Sequence, residues 1–138
     1  MGSESVGESR VEWAAVVVGG LRAASGVSFL VAPEAANRLW GDDAPPDTTA
    51  SLLLRSMGYR DALVGGLLAW NGARGNRTAG WYLASAGADA ADLLGGLANH
   101  HRMSDRQIRI GLGGAVVGIG VGVVGALRSR RRDSRSVS

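Results

Sequence analysis

The sequence predicts an all-α protein: a four-helix transmembrane bundle of antiparallel up-down topology, with polar disordered tails. Three observations carry this. Four apolar stretches of about 20 residues lie at 13–32, 51–70, 78–97 and 108–127, and at 1.5 Å per residue each spans a hydrocarbon core of roughly 30 Å. Hydrophobic residues make up 46% of the 138-residue chain and 22 glycines add to that, while charged residues are held to 20%. No hairpin turn signal interrupts any of the four runs, and runs this long are rarely strands. The mean hydropathy of +0.07 averages this apolar middle with polar ends.

The elements follow in order. Residues 1–12 are polar and Ser-rich, the composition of a disordered tail. The first span, 13–32, is not a cleaved signal peptide. Its apolar region is too long, and Glu12 stands where basic residues belong. Pro33 stops it, and the connection 33–50 holds all three prolines with Asp42, Asp43 and Asp47. The second span, 51–70, ends at a turn containing Asn71-Gly72 and Gly75-Asn76. The third span, 78–97, leads into the link 100–107, where Ser104 and Gln107 match a capping box that opens the fourth span. Residues 128–138 form an Arg-rich disordered tail.

Trp13, Trp70 and Trp81 fall at helix ends and Trp40 in the first connection, as in an aromatic belt at two membrane interfaces. With the N-terminus inside, eight arginines lie on the inner side and four on the outer. The positive-inside rule then predicts a multi-pass cell-membrane protein with both termini cytoplasmic. Small residues recur every four positions on each span: Ala15, Gly19 and Ala23; Gly58, Ala62 and Gly66; Gly87, Ala91 and Gly95; Gly114, Gly118 and Gly122. In lipid such ridges predict close helix–helix contact.

Several chemistries are excluded. The chain has no Cys, so thiolate metal sites and Cys nucleophiles are absent. All 15 basic residues are Arg, the usage expected of a GC-rich genome, and no nucleic-acid partner is read from it. The Gly-rich stretch 111–122 lacks a Lys-Ser/Thr partner and a preceding strand, so it is no phosphate loop. His100 and His101 are adjacent and point about 100° apart, so no metal site is predicted, and no sequence feature calls for a cofactor.

The informative residues are charges inside the spans: Arg22, Arg55, Arg60, Asp61, Asp89 and Asp92. Each costs about 2.5–3.5 kcal/mol at a helix centre, so pairing is expected. Arg22, Arg60, Asp61 and Asp89 fall near the midplane, and Arg55 and Asp92 both lie toward the outer side, which makes them partners by depth. On the third span Tyr82, Ser85, Asp89, Asp92, Gly96, Asn99 and His100 form one polar stripe that should face the bundle interior. Arg55, Arg60 and Asp61 cannot all aim at one point, so one faces a neighbouring subunit of a homo-oligomer or snorkels outward.

The segment 52–70 carries an Arg-x-x-Gly-x-Arg-Asp signature on Arg55, Gly58, Arg60 and Asp61. It resembles a family of small four-span membrane proteins of unknown function, common in actinobacteria and fungi and similar in layout to DoxX-like proteins. The resemblance implies four spans with an Asp-bearing third span, and no established activity.

Two functions follow from the residues. In the first, the Arg/Asp network lines a pocket for an apolar small molecule, with proton-transfer isomerisation or cyclisation as the reaction. Asp89 and Asp92 are the candidate acid and base. Arg55 and Arg60 bind a carboxylate or enolate oxygen, and Arg22, Asp61, Tyr82, Ser85 and His100 complete the pocket. In the second, the chain is a non-enzymatic membrane subunit or transport accessory whose buried charges are structural. The lipid bilayer is the partner common to both.

Overall fold

The computed structural model describes residues 10–39 and 44–135. Trp40, Asp42 and Asp43, with tail residues 1–9 and 136–138, lie outside the described residues. What is described is all-helical, without a strand. The helices are α1 (Trp13–Val31), α2 (Pro33–Leu39), α3 (Thr48–Ala73) and α4 (Ala79–Asn99). A final helix, α5 (Asp105–Arg135), contains one π turn at Ile108–Leu112.

Each boundary has a local cause. The Asp47 side chain accepts a hydrogen bond from Ala50 N, capping α3 one turn before the apolar run begins. Gly75, at φ 65°, supplies the left-handed residue that ends α3 and turns the chain into α4. The Ser104–Gln107 capping box forms as expected and starts α5. Two elements differ from expectation. Pro33 ends α1 but also begins α2, because a proline at the first helical position gives up an N–H that would have no partner there. The C-terminal tail is not disordered through its length: α5 continues as helix to Arg135. Ser129 is buried against Thr78, and Arg132 reaches Glu12 and the Arg10 carbonyl, so tertiary contacts hold this stretch helical.

The helices form two antiparallel pairs. α1 packs along α3, and α4 along α5, while α3 and α4 meet much less extensively. The first pair closes on glycine. An added Cβ at Gly19 would lie 2.5 Å from Ala69 N and Gly65 O, and one at Gly58 would lie 2.6 Å from Gly26 O. In the second pair Gly122 faces Ala86 and Tyr82, Gly125 faces the Tyr82 ring, and Gly118 faces Asp89. On α3 the close face is Gly58, Gly65 and Gly72 rather than Gly66, which has open space beside it. The α4 ridge of Gly87 and Gly95 is likewise open. Asp89 takes the inward direction on α4, and Gly87 lies about 200° from it.

Burial is inverted relative to a water-soluble bundle. The interior is mostly small or aromatic, with Ala15, Phe29, Tyr82 and Ala126 buried beside the aliphatic Leu68. The large aliphatic residues point out, with Leu21 70%, Leu52 68%, Leu94 68% and Val117 66% exposed. Among the described residues two helices, Trp13–Val31 and Asp105–Arg135, are long and apolar enough to cross a membrane. The described tryptophans do not mark two interfaces. Trp13, Trp70 and Trp81 all sit at the end where α1 begins, α3 ends and α4 begins.

Candidate functional site

Of the six charges expected to pair, Arg22, Arg60, Asp61, Asp89 and Asp92 do so, in one layer between the two helix pairs. Arg22, at the middle of α1, projects between α3 and α4. Its Nη1 donates to Asp89 Oδ2 at 2.9 Å and to Ser85 Oγ at 2.9 Å, and its Nη2 donates to Asp61 Oδ1 at 3.0 Å. Asp61 Oδ1 also accepts from Arg60 Nε at 3.1 Å. Arg60 then grips Asp92 through both oxygens, Nη1 to Oδ1 at 3.0 Å and Nη2 to Oδ2 at 2.7 Å. The sequence Asp89–Arg22–Asp61–Arg60–Asp92 alternates in sign and runs from the interior outward. The Arg22, Asp61 and Asp89 side chains are 12%, 18% and 13% exposed, and the Arg60 and Asp92 side chains 33% and 38%. Two guanidiniums serve three carboxyl groups. Arg22 Nε is buried with no hydrogen-bond partner, a cost that the pairs around it must offset.

Asp89 and Asp92 thus point into the bundle and meet arginines of α1 and α3. The depth pairing of Arg55 with Asp92 is wrong. Arg55 Nη1 donates to the Leu30 carbonyl at 2.6 Å, one of the last four carbonyls of α1, which lack intrahelical partners. With Arg55 drawn there, Arg60 takes Asp92.

A cavity of about 430 Å³ adjoins this layer. Asp61, Asp89 and Asp92 stand on its wall, and Phe29, Met57 and Leu112 are among its apolar lining. The π turn of α5 contributes Gly111 and Leu112, an irregularity of a kind common at functional sites. The arginines do not line this cavity: Arg22 and Arg60 stand behind the carboxylates, and Arg55 is turned to α1. The direct role given them in gripping an oxyanion is therefore not supported by their placement. Ser85 is buried and spent on Arg22. Tyr82 lies at a different cavity, toward the chain termini. His100 is exposed beyond the end of α4, its Nδ1 donating to the Leu97 carbonyl. Among the described residues no group of three His, Cys, Asp or Glu side chains is placed to hold a metal ion.

A second polar cluster has no counterpart in the sequence reading. Thr78, fully buried, donates to Glu12 Oε2 at 2.6 Å and lies 2.8 Å from Ser129 Oγ. Arg132 reaches Glu12 at 3.7 Å, and Glu12 N donates to the Gly72 carbonyl at 2.8 Å. The cluster ties α1, α3, α4 and α5 together at one end. Its members are far apart in sequence and individually ordinary, so no spacing announces it.

Residues 19–126 match DUF4267, a domain of unknown function. The chain belongs to this family. The match covers the whole charge layer, including the Arg55, Gly58, Arg60 and Asp61 signature, and leaves Glu12, Arg128, Ser129 and Arg132 outside. No curated protein and no solved structure gives a significant match to the chain.

Proposed function

We propose that this DUF4267 protein is a multi-pass membrane protein in which α1, α3, α4 and α5 each cross the bilayer, with both termini on the cytoplasmic side. The inverted burial carries this reading. Large aliphatic side chains cover the outside while glycine, alanine and ion pairs fill the inside, the arrangement that lipid favours and water does not. α3 and α4 hold their charges toward the other helices, where the pairs satisfy one another. The arginines at the end holding the termini outnumber those at the other end, which sets the orientation. Membrane fractionation tests the first part: recovery of the chain in the soluble fraction without detergent overturns it.

Within that bundle, the cavity beside Asp61, Asp89 and Asp92 is a site for a small molecule with an apolar body and a hydrogen-bond-donating or cationic end. The lining supports this. Its charged groups are carboxylates, which accept hydrogen bonds, and the remainder is largely apolar. Asp92 gives both oxygens to Arg60, whereas Asp89 gives one, Oδ2, to Arg22. Asp89 is therefore the residue able to exchange a proton with a ligand, and isomerisation or cyclisation by proton transfer is the reaction class it serves. The alternative is a non-enzymatic membrane subunit whose ions fix helix register, and the bidentate Arg60–Asp92 pair favours that reading.

Lipid-extract profiling separates the two. A deletion strain is complemented with wild-type protein or with Asp89→Asn at matched membrane levels. A compound that accumulates in both the deletion and the Asp89→Asn strain supports the pocket reading. Full complementation by Asp89→Asn supports the structural one.

A further inference from the structure

A second recess lies at the opposite end from the acidic cavity. It is a groove of about 350 Å³ between α1 and α5, roofed by neither helix and floored by Tyr82. Gly120 and Gly125 deepen it: an added Cβ at Gly120 would meet nothing within 4 Å, and one at Gly125 would strike the Tyr82 ring. Val121 and Val124 form its α5 wall and are 41% and 47% exposed. Its charged residues are Glu12 and Arg128.

The helix carries this groove directly into a row of arginines. At 100° per residue, Val121, Val124, Gly125, Arg128, Arg131 and Arg132 share one face of α5. The helix continues unbroken to Arg135, eight residues and about 12 Å past Leu127, which is enough to cross the headgroup layer of one leaflet. Acidic groups nearby are already engaged. Glu12 is held by Thr78 and Arg132, and Asp133 pairs with Arg77 at 3.6 Å. Arg10, Arg74 and Arg130 stand at this same end, and the Arg74 guanidinium lies 4.4 Å above the Trp70 ring, an arginine–tryptophan pairing suited to the bilayer interface.

We propose that this groove is a binding site for an anionic phospholipid, with one acyl chain along Val121 and Val124 over Tyr82 and the phosphate on Arg128 and Arg131. The proposal rests on the membrane reading above and is independent of the acidic cavity. Shape and charge agree on the occupant. The apolar half is open along the side of the bundle, as an acyl chain requires. The basic half begins where the apolar half ends, as a headgroup requires. A soluble anion would use the arginines and leave the groove empty, and a neutral lipid would use the groove and leave the arginines unneutralised.

The test uses the full chain, purified in a mild neutral detergent, with native mass spectrometry reading the lipid retained. Dioleoyl phosphatidylglycerol and dioleoyl phosphatidylcholine are added in equal amounts. Wild-type protein should retain the phosphatidylglycerol at least about tenfold over the phosphatidylcholine. Arg128→Gln with Arg131→Gln should abolish the preference. Val124→Trp, which fills the groove without touching charge, should lower retention of the anionic lipid. Arg38→Gln with Arg102→Gln, at the other end, should change nothing. Equal retention of the two lipids, or an undiminished preference in the Arg128/Arg131 variant, overturns the proposal. So does displacement of phosphatidylglycerol by millimolar inorganic phosphate, which would mark a simple anion site. A chain found soluble without detergent overturns the membrane reading and this site together, whereas a membrane-bound chain without lipid preference overturns this site alone.

Discussion

Within the α1–α3 pair the backbones touch: Gly19, Gly26, Gly58 and Gly65 bring main-chain atoms of the two helices into close approach. Between that pair and α4–α5 the chemistry is the opposite. There Arg22 and Arg60 extend long side chains across a thin contact to reach Asp89 and Asp92 of α4, with Asp61 of α3 between the two arginines. The first interface is dispersion at short range, which is insensitive to what surrounds it but intolerant of added volume. The second is directional and charged, so it tolerates volume but not the loss of a partner. A bundle built this way has two rigid halves joined by a polar layer, and the acidic cavity lies at that joint.

Removing Arg22 should produce the largest effect. It serves Asp61, Asp89 and Ser85 at once, and Arg22→Ala leaves two mostly buried carboxylates facing each other. The expected loss is about 3–5 kcal/mol, the range for breaking a buried pair. It should appear as loss of detergent-stable protein. Arg22→Ala with Asp89→Ala should recover part of it, since fewer charges are then left unmatched. A single variant as stable as wild type would show that the layer does not hold the halves together.

Adding volume to the glycine seam comes next. A Cβ at Gly65 would lie 2.5 Å from Ala23 N and 2.6 Å from Gly19 O, so Gly65→Leu must part the backbones. About 3 kcal/mol is expected, the upper range for overpacking, measured as the midpoint of unfolding in a denaturing detergent titration. Gly66→Leu, one residue along, should cost far less because that side is open. If the two variants behave alike, the seam is not where the structure places it.

The long helices were legible in the sequence because an apolar run of membrane length admits few alternatives. The stripe of Tyr82, Ser85, Asp89 and Asp92 was legible because helical periodicity fixes a face whatever it packs against. Partner choice was not. Depth along the helix axis ranked Arg55 with Asp92, but a guanidinium on a flexible stem also sees the open carbonyls at a helix end, and Leu30 O claimed it. The glycine ridges were legible as spacing and illegible as direction. On α4 the charged face took the interior and left Gly87 and Gly95 outside. The Glu12–Thr78–Ser129 cluster joins three chain segments through side chains of no distinctive pattern. That placement is a property of the assembled bundle alone.

The pairing itself is checked by a smaller effect. A double-mutant cycle on Arg60→Ala and Asp92→Ala should give a coupling of about 0.5–1 kcal/mol, discounted because both side chains are at least a third exposed. The same cycle on Arg55 and Asp92 should give none. Coupling confined to Arg55 and Asp92 would restore the pairing by depth and displace the one seen here.

The smallest effect separates an outward face from a hidden interface. Gly87 has nothing within 4 Å of the position its Cβ would take, and it lies mid-helix in α4. There a glycine gains no packing and costs helix stability relative to alanine. If Gly87 faces lipid, Gly87→Ala should stabilise the protein by about 0.5–1 kcal/mol, chiefly by restricting the unfolded chain. If instead Gly87 and Gly95 meet a second copy of the chain in a close small-residue contact, the added methyl should weaken the oligomer. The unfolding midpoint moves in opposite directions under the two arrangements, and the cross-linked oligomer fraction falls only under the second. A stabilised variant with an unchanged oligomer fraction is the expected result. A destabilised one with the oligomer lost would extend the glycine seam beyond the two helix pairs to a third interface, between molecules.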